Sequence, residues 1–307
     1  MDKLFKDYIA SLKIVGKGRE AEKRWRPVFD DLIRFAKTDD ARKLTKATLI
    51  NWRDKRLTTH APKTVSTVYL ASVRTILEWA VNNDRLETNV AKTVRQQVPK
   101  KISNREQGYT TPEATKILKA ALAHIAGPKE AATTTVAKKW APFLCAFSGA
   151  RIAEITQLRS QDFRMEAGSL IMRITPEAGT VKTGAYRDVP VHPQLIYLGF
   201  DVFIKSKEGP LFYKAGPNKD ALRAARTVSD ILAKWMHAQK LTVAKVAPSH
   251  GWRHRFKTMG REVGVGDRVL DALMGHASTT AGDAYGDVTT ATRISAISKL
   301  PAYDLSL

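Results

Sequence analysis

The stretch FSGARIAEITQLRSQDF (residues 147–163) decides how the rest of the chain is read. Ser148-Gly149-Ala150 breaks one helix, and Arg151 stands where the next begins. Ile152, Ile155 and Leu158 follow at helical spacing and face a core. An arginine at a helix start lies beside backbone N–H groups that favour anions, and its guanidinium can grip a phosphate in bidentate fashion. Taken alone, Arg151 reads as a surface arginine.

Reading outward, VKTGAYRDVPVH (residues 181–192) puts Lys182 on a turn between two strands. A lysine at a hairpin tip can reach into a groove and donate a proton. Further on, APSHGWRHRFKTMG (residues 247–260) holds His250 and Arg253 on adjacent positions of one helix, with His254 four after His250. The two histidines raise the question of zinc. A zinc protease helix reads H-E-x-x-H, and Gly251 stands in place of the glutamate, so the general base is absent. A phosphate grip is the better reading. His254 is then expected to pack or hydrogen-bond within its helix, and Arg255 to contact solvent or backbone. Last, LDALMGHASTTAGDAYGDV (residues 270–288) offers His276 and, nine residues on, Tyr285.

Composition narrows the partners. The chain has 307 residues, enough for two domains, and 43% of them are hydrophobic. Its formal charge is +21, and the excess divides almost evenly between residues 1–100 and the remainder. Such a charge on both halves points to a polyanion, with nucleic acid the default. The single cysteine, Cys145, lies in the apolar run WAPFLCAF and reads as a small core residue, as expected in a reducing cytoplasm. No signal-peptide core and no apolar run of about 18 residues is present, so no membrane association is expected.

The first hundred residues read as helices. In APKTVSTVYLASVRTILEWAVNN (residues 61–83), Val65, Tyr69, Val73, Ile76, Leu77 and Ala80 keep helical spacing. AEKRWRPVFDDLIRFAKT is a second helix with Phe29, Leu32, Ile33 and Phe35-Ala36 as its stripe, and TKATLINWRDKRL a third with Thr45 as N-cap. The polar, basic segment VPKKISNREQGYTTPEA marks a linker. TTPEATKILKAAL reopens helix, with Thr111 expected as cap, and NKDALRAARTVSDILAKWMHAQ is a long amphipathic helix. GSLIMRITP and YRDVPVH are the exceptions and read as strands. The boundaries expected are a helical domain over 1–98, a linker over 99–108 and a second domain over 109–307.

SGAR, VKTG, HGWR, MGH and AYGD in this order resemble the tyrosine recombinase family, the phage-integrase type. That family's pattern is an arginine in a T/S-G-x-R turn, a lysine on a β-hairpin, an H-x-x-R helix, a G-H pair and a tyrosine about nine residues later. The resemblance covers residues from about 108 to 290 and extends more faintly into residues 63–91. Gly251 and Trp252 depart from the family's usual residues after the first histidine, and Trp252 reads as a core anchor.

The resemblance implies a mainly α catalytic domain with a small β-sheet and an all-α N-terminal core-binding domain, closing on duplex DNA as a C-shaped clamp. It implies strand exchange through a 3′-phosphotyrosine on Tyr285. Arg151 and Arg253 would clamp the phosphate, His250 act as base and Lys182 as acid. His276 would bond or buttress the phosphate, and Glu154 would hold the site together. It implies no cofactor and no metal. Its partners would be a double-stranded recombination site and three further copies in a homotetramer on two DNA sites, with room for accessory DNA-bending or directionality proteins. The helix in VTTATRISAISKLPAYDLSL, with Ile294, Ile297 and Leu300, would dock on a neighbouring copy, the alternative being that it packs on its own domain. A type IB topoisomerase, a non-catalytic DNA-binding regulator and a metal-dependent nuclease remain alternatives at this point.

Overall fold

The computed structural model describes residues 1–100, 104–179, 181, 184–216, 220–276 and 286–306. The chain divides into two compact units, Met1–Ser103 and Asn104–Leu307, each with its own hydrophobic core.

The first unit is helical. Helices α1 (Asp2–Ile14), α2 (Arg19–Ala36) and α3 (Lys46–Leu57) are followed by a long rod. The rod begins as α4 (Pro62–Thr64), passes through a π-helical segment (Val65–Leu70) and continues as α5 (Ala71–Val81). The cap expected for α3 is present: the Thr48 N–H donates to Thr45 Oγ1 at 3.0 Å. Apolar spacing on the rod buries Ala80 and packs Val65, Val73, Ile76 and Leu77 into one core with Phe5, Phe29 and Trp52. The π segment has no counterpart in the sequence reading, since one widened turn leaves the apolar stripe nearly unchanged.

The second unit opens with α6 (Thr111–Leu122). Its cap is Thr110 rather than Thr111. Glu113 reaches back to the Thr110 N–H at 2.9 Å, and that reciprocal box needs a three-residue spacing. Helix α7 (Ala132–Ser148) is the central element, with Trp140 through Ser148 all buried. It stops at Gly149, whose φ of +59° is left-handed. The short α8 (Ile152–Thr156) follows.

The sheet is antiparallel in the order β1-β2-β3, with β1 (Phe163–Glu166), β2 (Ser169–Ile174) and β3 (Arg187–Pro190). Met172 sits at its centre, opposite Phe163 on one side and Val189 on the other. Strand β1 was not expected; its four residues are too few to show alternation. Helices α9 (Pro193–Tyr197), α10 (Phe200–Lys205) and α11 (Ala221–Ala238) lead to α12 (Pro248–Glu262) and α13 (Asp267–Met274). Trp252 and Phe256 carry α12 into the core of α7. No helix among the described residues is long and apolar enough to cross a membrane.

The last helix, α14 (Thr290–Ser298), packs on its own unit, one of the two readings open for it. Its apolar stripe is used inside its own unit, where Ile297 and Leu300 are core residues and Ile294 is half-buried. The tail beyond it is pinned to the same unit. His192 Nε2 donates to the Leu300 carbonyl at 2.9 Å, and Gln194 bonds the Tyr303 backbone in both directions at 2.7 and 2.9 Å.

Candidate active site

Gly149 ends α7 so that its carbonyl faces α12, where Arg253 is the buried middle residue of the first turns. Arg253 Nη1 donates to two backbone carbonyls, Gly149 O and Met274 O, each at 2.7 Å. Its Nη2 is buried with no partner among the described residues. Burial, and then the charge of Arg151, lower the Arg253 pKa to about 10, so it still carries its charge at neutral pH. A buried donor left unpaired costs about 1–3 kcal/mol, which an anion bound there would relieve.

Arg151 stands at the N-cap of α8, its side chain 27% exposed. Glu154, one turn on and almost fully buried, holds it twice. Its carboxylate accepts the Arg151 N–H at 2.9 Å and Arg151 Nη1 at 3.0 Å. Burial pushes the Glu154 carboxyl up, but the charge and hydrogen bond of Arg187 and the Arg151 amide outweigh it, leaving it below the ordinary value. Arg187 opens β3. It donates from Nη2 to Glu154 at 2.6 Å and from Nε to the Leu273 carbonyl at 2.9 Å. Arg151 and Arg187 therefore share the Glu154 carboxylate, and Arg253 adds a third charge nearby with no carboxylate bonded to it among the described residues, which leaves an excess of positive charge.

The end of α13 closes the group. Gly275 turns the chain at a φ of +67°, and a Cβ there would lie 2.7 Å from Arg187 Nη1. His276 follows, and its Nδ1 lies 2.6 Å from Asp271 Oδ1, which also accepts from Lys257 Nζ at 2.7 Å. Burial raises the Asp271 pKa, but bonds from Lys257 and His276 bring it below its ordinary value, so the carboxylate accepts and Nδ1 carries the proton.

The structure thus brings Arg151, Glu154, Arg253 and His276 together. His250 is exposed on the first turn of α12, one turn before Arg253. Lys182 and Tyr285 lie outside the described residues. His254 is exposed rather than packed, because its position faces away from α7. Of the two contacts expected for Arg255, the backbone one is present and solvent is not: it is buried and donates to the Tyr109 carbonyl, Thr111 Oγ1 and Tyr303 Oη at 3.0, 3.2 and 2.9 Å. Among the described residues no cluster of His, Cys, Asp and Glu fits a metal ion. Sequence reasoning missed Arg187, Lys257 and Asp271. For Arg187 a signal existed, since two adjacent charges inside the apolar strand YRDVPVH have to be paired once buried.

The model of the phage integrase family matches residues 111–292, more than half of the chain. The chain belongs to the phage integrase family, that of the tyrosine recombinases. Among curated proteins it is similar to tyrosine recombinase XerA of Pyrococcus horikoshii, 28% identical over 146 residues, and to XerA of Pyrococcus furiosus, 29% identical over 145. The first match covers 47% of this chain and 47% of its relative, so the chain spans about half the length of the curated relatives it matches. Among solved structures, a lambda integrase tetramer bound to a Holliday junction superposes with a TM-score of 0.63 at 16% identity, covering 91% of this chain and 78% of that one. The Tn1549 transposon integrase in complex with a circular intermediate DNA gives 0.61 at 15% identity, covering 95% and 98%. At such identities these likenesses establish the fold, mainly α with a small antiparallel sheet.

Proposed function

We propose that this chain is a site-specific DNA recombinase that cuts and rejoins strands through a 3′-phosphotyrosine. The observation that carries the reading is Arg253, buried between two helix-end carbonyls with Nη2 unpaired among the described residues, beside a half-open Arg151. Two guanidiniums from separate segments match the charge that grows on the non-bridging oxygens as phosphorus is attacked.

In this reading Tyr285 Oη attacks phosphorus, and its proton passes to His250. The P–O bond to the 5′-oxygen breaks, and Lys182 supplies that oxygen's proton. His276 donates to a non-bridging oxygen from Nε2, its ring held by Asp271. The 5′-hydroxyl of a second strand then attacks the phosphotyrosine, which conserves the bond energy and needs no ATP. Residues 1–98 serve as the core-binding domain, 99–108 as linker and 109–307 as the catalytic domain. The partner is duplex DNA, engaged in the cytoplasm by four copies on two sites. The other tyrosine near the C-terminus favours this choice of nucleophile by elimination: Tyr303 packs edge-on against Phe147, and its hydroxyl accepts from Arg255.

The test is a nicked duplex that loses a short fragment on cleavage and so traps the adduct. Wild type should yield a covalent complex whose nucleotide maps to the Tyr285 peptide, and Tyr285→Phe should bind DNA and yield none. A label on Tyr303 or on a serine, or no adduct at all, would overturn the proposal.

A further inference from the structure

Arg187 belongs to none of the family motifs found in the sequence, yet it ties three of the site's segments together. From the start of β3 its Nη2 reaches Glu154 Oε2 at 2.6 Å, and its Nε reaches the Leu273 carbonyl at 2.9 Å. Its remaining nitrogen, Nη1, is buried without a partner among the described residues, packed where any side chain on Gly275 would stand. The side chains of Arg187 and Glu154 are 5% and 2% exposed.

A pair this deeply buried is a poor way to stabilise a fold. Removing two charges from water offsets most of their attraction, and an apolar pair of the same size often serves as well. What a buried guanidinium forked between a carboxylate and a backbone carbonyl does supply is fixed geometry. Here the fixed object is the Glu154 carboxylate. One oxygen takes the Arg151 guanidinium, and the other takes both the Arg151 N–H and Arg187. Without Arg187 the carboxylate would be free to rotate and would turn its whole charge on Arg151, competing with a phosphate for the same guanidinium. The bond to Leu273 O anchors the same side chain to the last turn of α13, two residues before Gly275 and three before His276.

We infer that Arg187 is a positioning residue for strand cleavage: it holds Glu154 so that Arg151 faces the scissile phosphate, and it sets the end of α13 from which His276 projects. This rests on the recombinase reading above. The arrangement is a chain of three groups, Arg187 to Glu154 to Arg151, and only the last meets DNA. A shift of about 1 Å in a clamping group costs on the order of 100-fold in rate, which sets the size of the expected effect.

Single-turnover cleavage on the nicked duplex tests it, with an ordinary scissile phosphate and with a methylphosphonate, which lacks the non-bridging charge that Arg151 neutralises. The main variant is Arg187→Met with Glu154→Gln, which removes both buried charges and keeps the volume. It should melt close to wild type and bind DNA with wild-type affinity. On phosphate it should cleave on the order of 100-fold slower than wild type, and on methylphosphonate only a few-fold slower. Equal losses on the two substrates would make Arg187 a merely structural residue, and wild-type cleavage of phosphate would remove any role. If the double variant does not fold, Arg187→Lys decides. It keeps Glu154 paired but cannot also reach Leu273, so it should lose about 10-fold on phosphate with the same substrate bias; wild-type rates there overturn the inference. Wild type and Tyr285→Phe run alongside. Should wild type form no adduct, the recombinase reading fails and this inference falls with it; should wild type react and the Arg187 variants match it, only the inference fails.

Discussion

Gly149→Ala tests whether the turn before Arg151 is as tightly specified as its geometry indicates. Gly149 has a φ of +59°, and an added Cβ would lie 2.7 Å from Phe256 Cδ1 and 2.9 Å from Met274 Cγ. The left-handed backbone alone costs an L-residue about 1–2 kcal/mol. Both clashing groups sit in the core, so neither can swing into solvent, and overpacking of this kind costs about 1–3 kcal/mol more. The sum is roughly 2–5 kcal/mol, a fall in Tm on the order of 5–15 °C for a unit of this size. Gly168→Ala is the internal control. Its φ is +73°, but nothing lies within 4 Å of the added Cβ, so only the backbone part applies. Thermal unfolding of the two variants, followed by circular dichroism, separates backbone strain from packing. Because the Gly149 carbonyl also receives Arg253, Gly149→Ala should in addition slow cleavage at temperatures where the protein is folded. If Gly149→Ala melts no lower than Gly168→Ala, the close packing argued for this turn is wrong.

Two other outcomes follow from the tail. His192 is buried and stacked 3.9 Å from Phe147; Nε2 donates to Leu300 O while Nδ1 accepts the Gln194 N–H at 3.1 Å, so only the neutral ring fits. Burial holds its pKa below the ordinary 6.5 despite the bond to Leu300. The unfolded chain then binds the proton more readily, so this stability is full above about pH 6.5 and is lost as pH falls through the folded value. Tm should decline from pH 7 to 5, and His192→Gln should flatten that slope; an unchanged slope would exclude His192 as its source. Tyr303→Phe leaves Arg255 Nε without its acceptor at 2.9 Å and should lower stability by about 1–3 kcal/mol in chemical denaturation, while adduct formation persists. Loss of the adduct in a folded Tyr303→Phe protein would reopen the choice of nucleophile.

How much of this was legible in the sequence depends on how local each signal was. The Gly149 stop, Arg151 and Glu154 lie within six residues of one another, and helical spacing alone predicts that Glu154 can reach Arg151. Thr45 announced its helix in the same way, because a cap and its target are three residues apart. Arg187 was read only as a strand residue, since its partners lie 33 and 86 residues away and no periodicity encodes them. For Arg255 the backbone contact is as expected, but its partners, 48 to 146 residues distant, are encoded by no periodicity either. The stripe of α14 was read correctly as apolar, but a stripe does not say which surface covers it. Here the answer came from β3 and α13, which pack on it within the unit.

The placement of Arg253 explains why the site uses an arginine there. Every helix end leaves carbonyls without intrahelical partners, and those carbonyls carry the negative end of the helix dipole. Two such ends, after α7 and at the close of α13, converge on one nitrogen of Arg253. The residue therefore works as a shared cap for two helices before any phosphate arrives. That duty fixes Nη1 and, through the planar guanidinium, the direction of Nη2 as well. A lysine has no such plane. Its ammonium could satisfy one or both carbonyls, but it would then have no second nitrogen held at a set angle toward a ligand. The same carbonyls hold the charge in place: burial and the neighbouring Arg151 work against the cation, and the two helix ends work for it. The fold thus keeps a charged, half-satisfied group in its interior, with the unsatisfied half set beside the partly exposed Arg151.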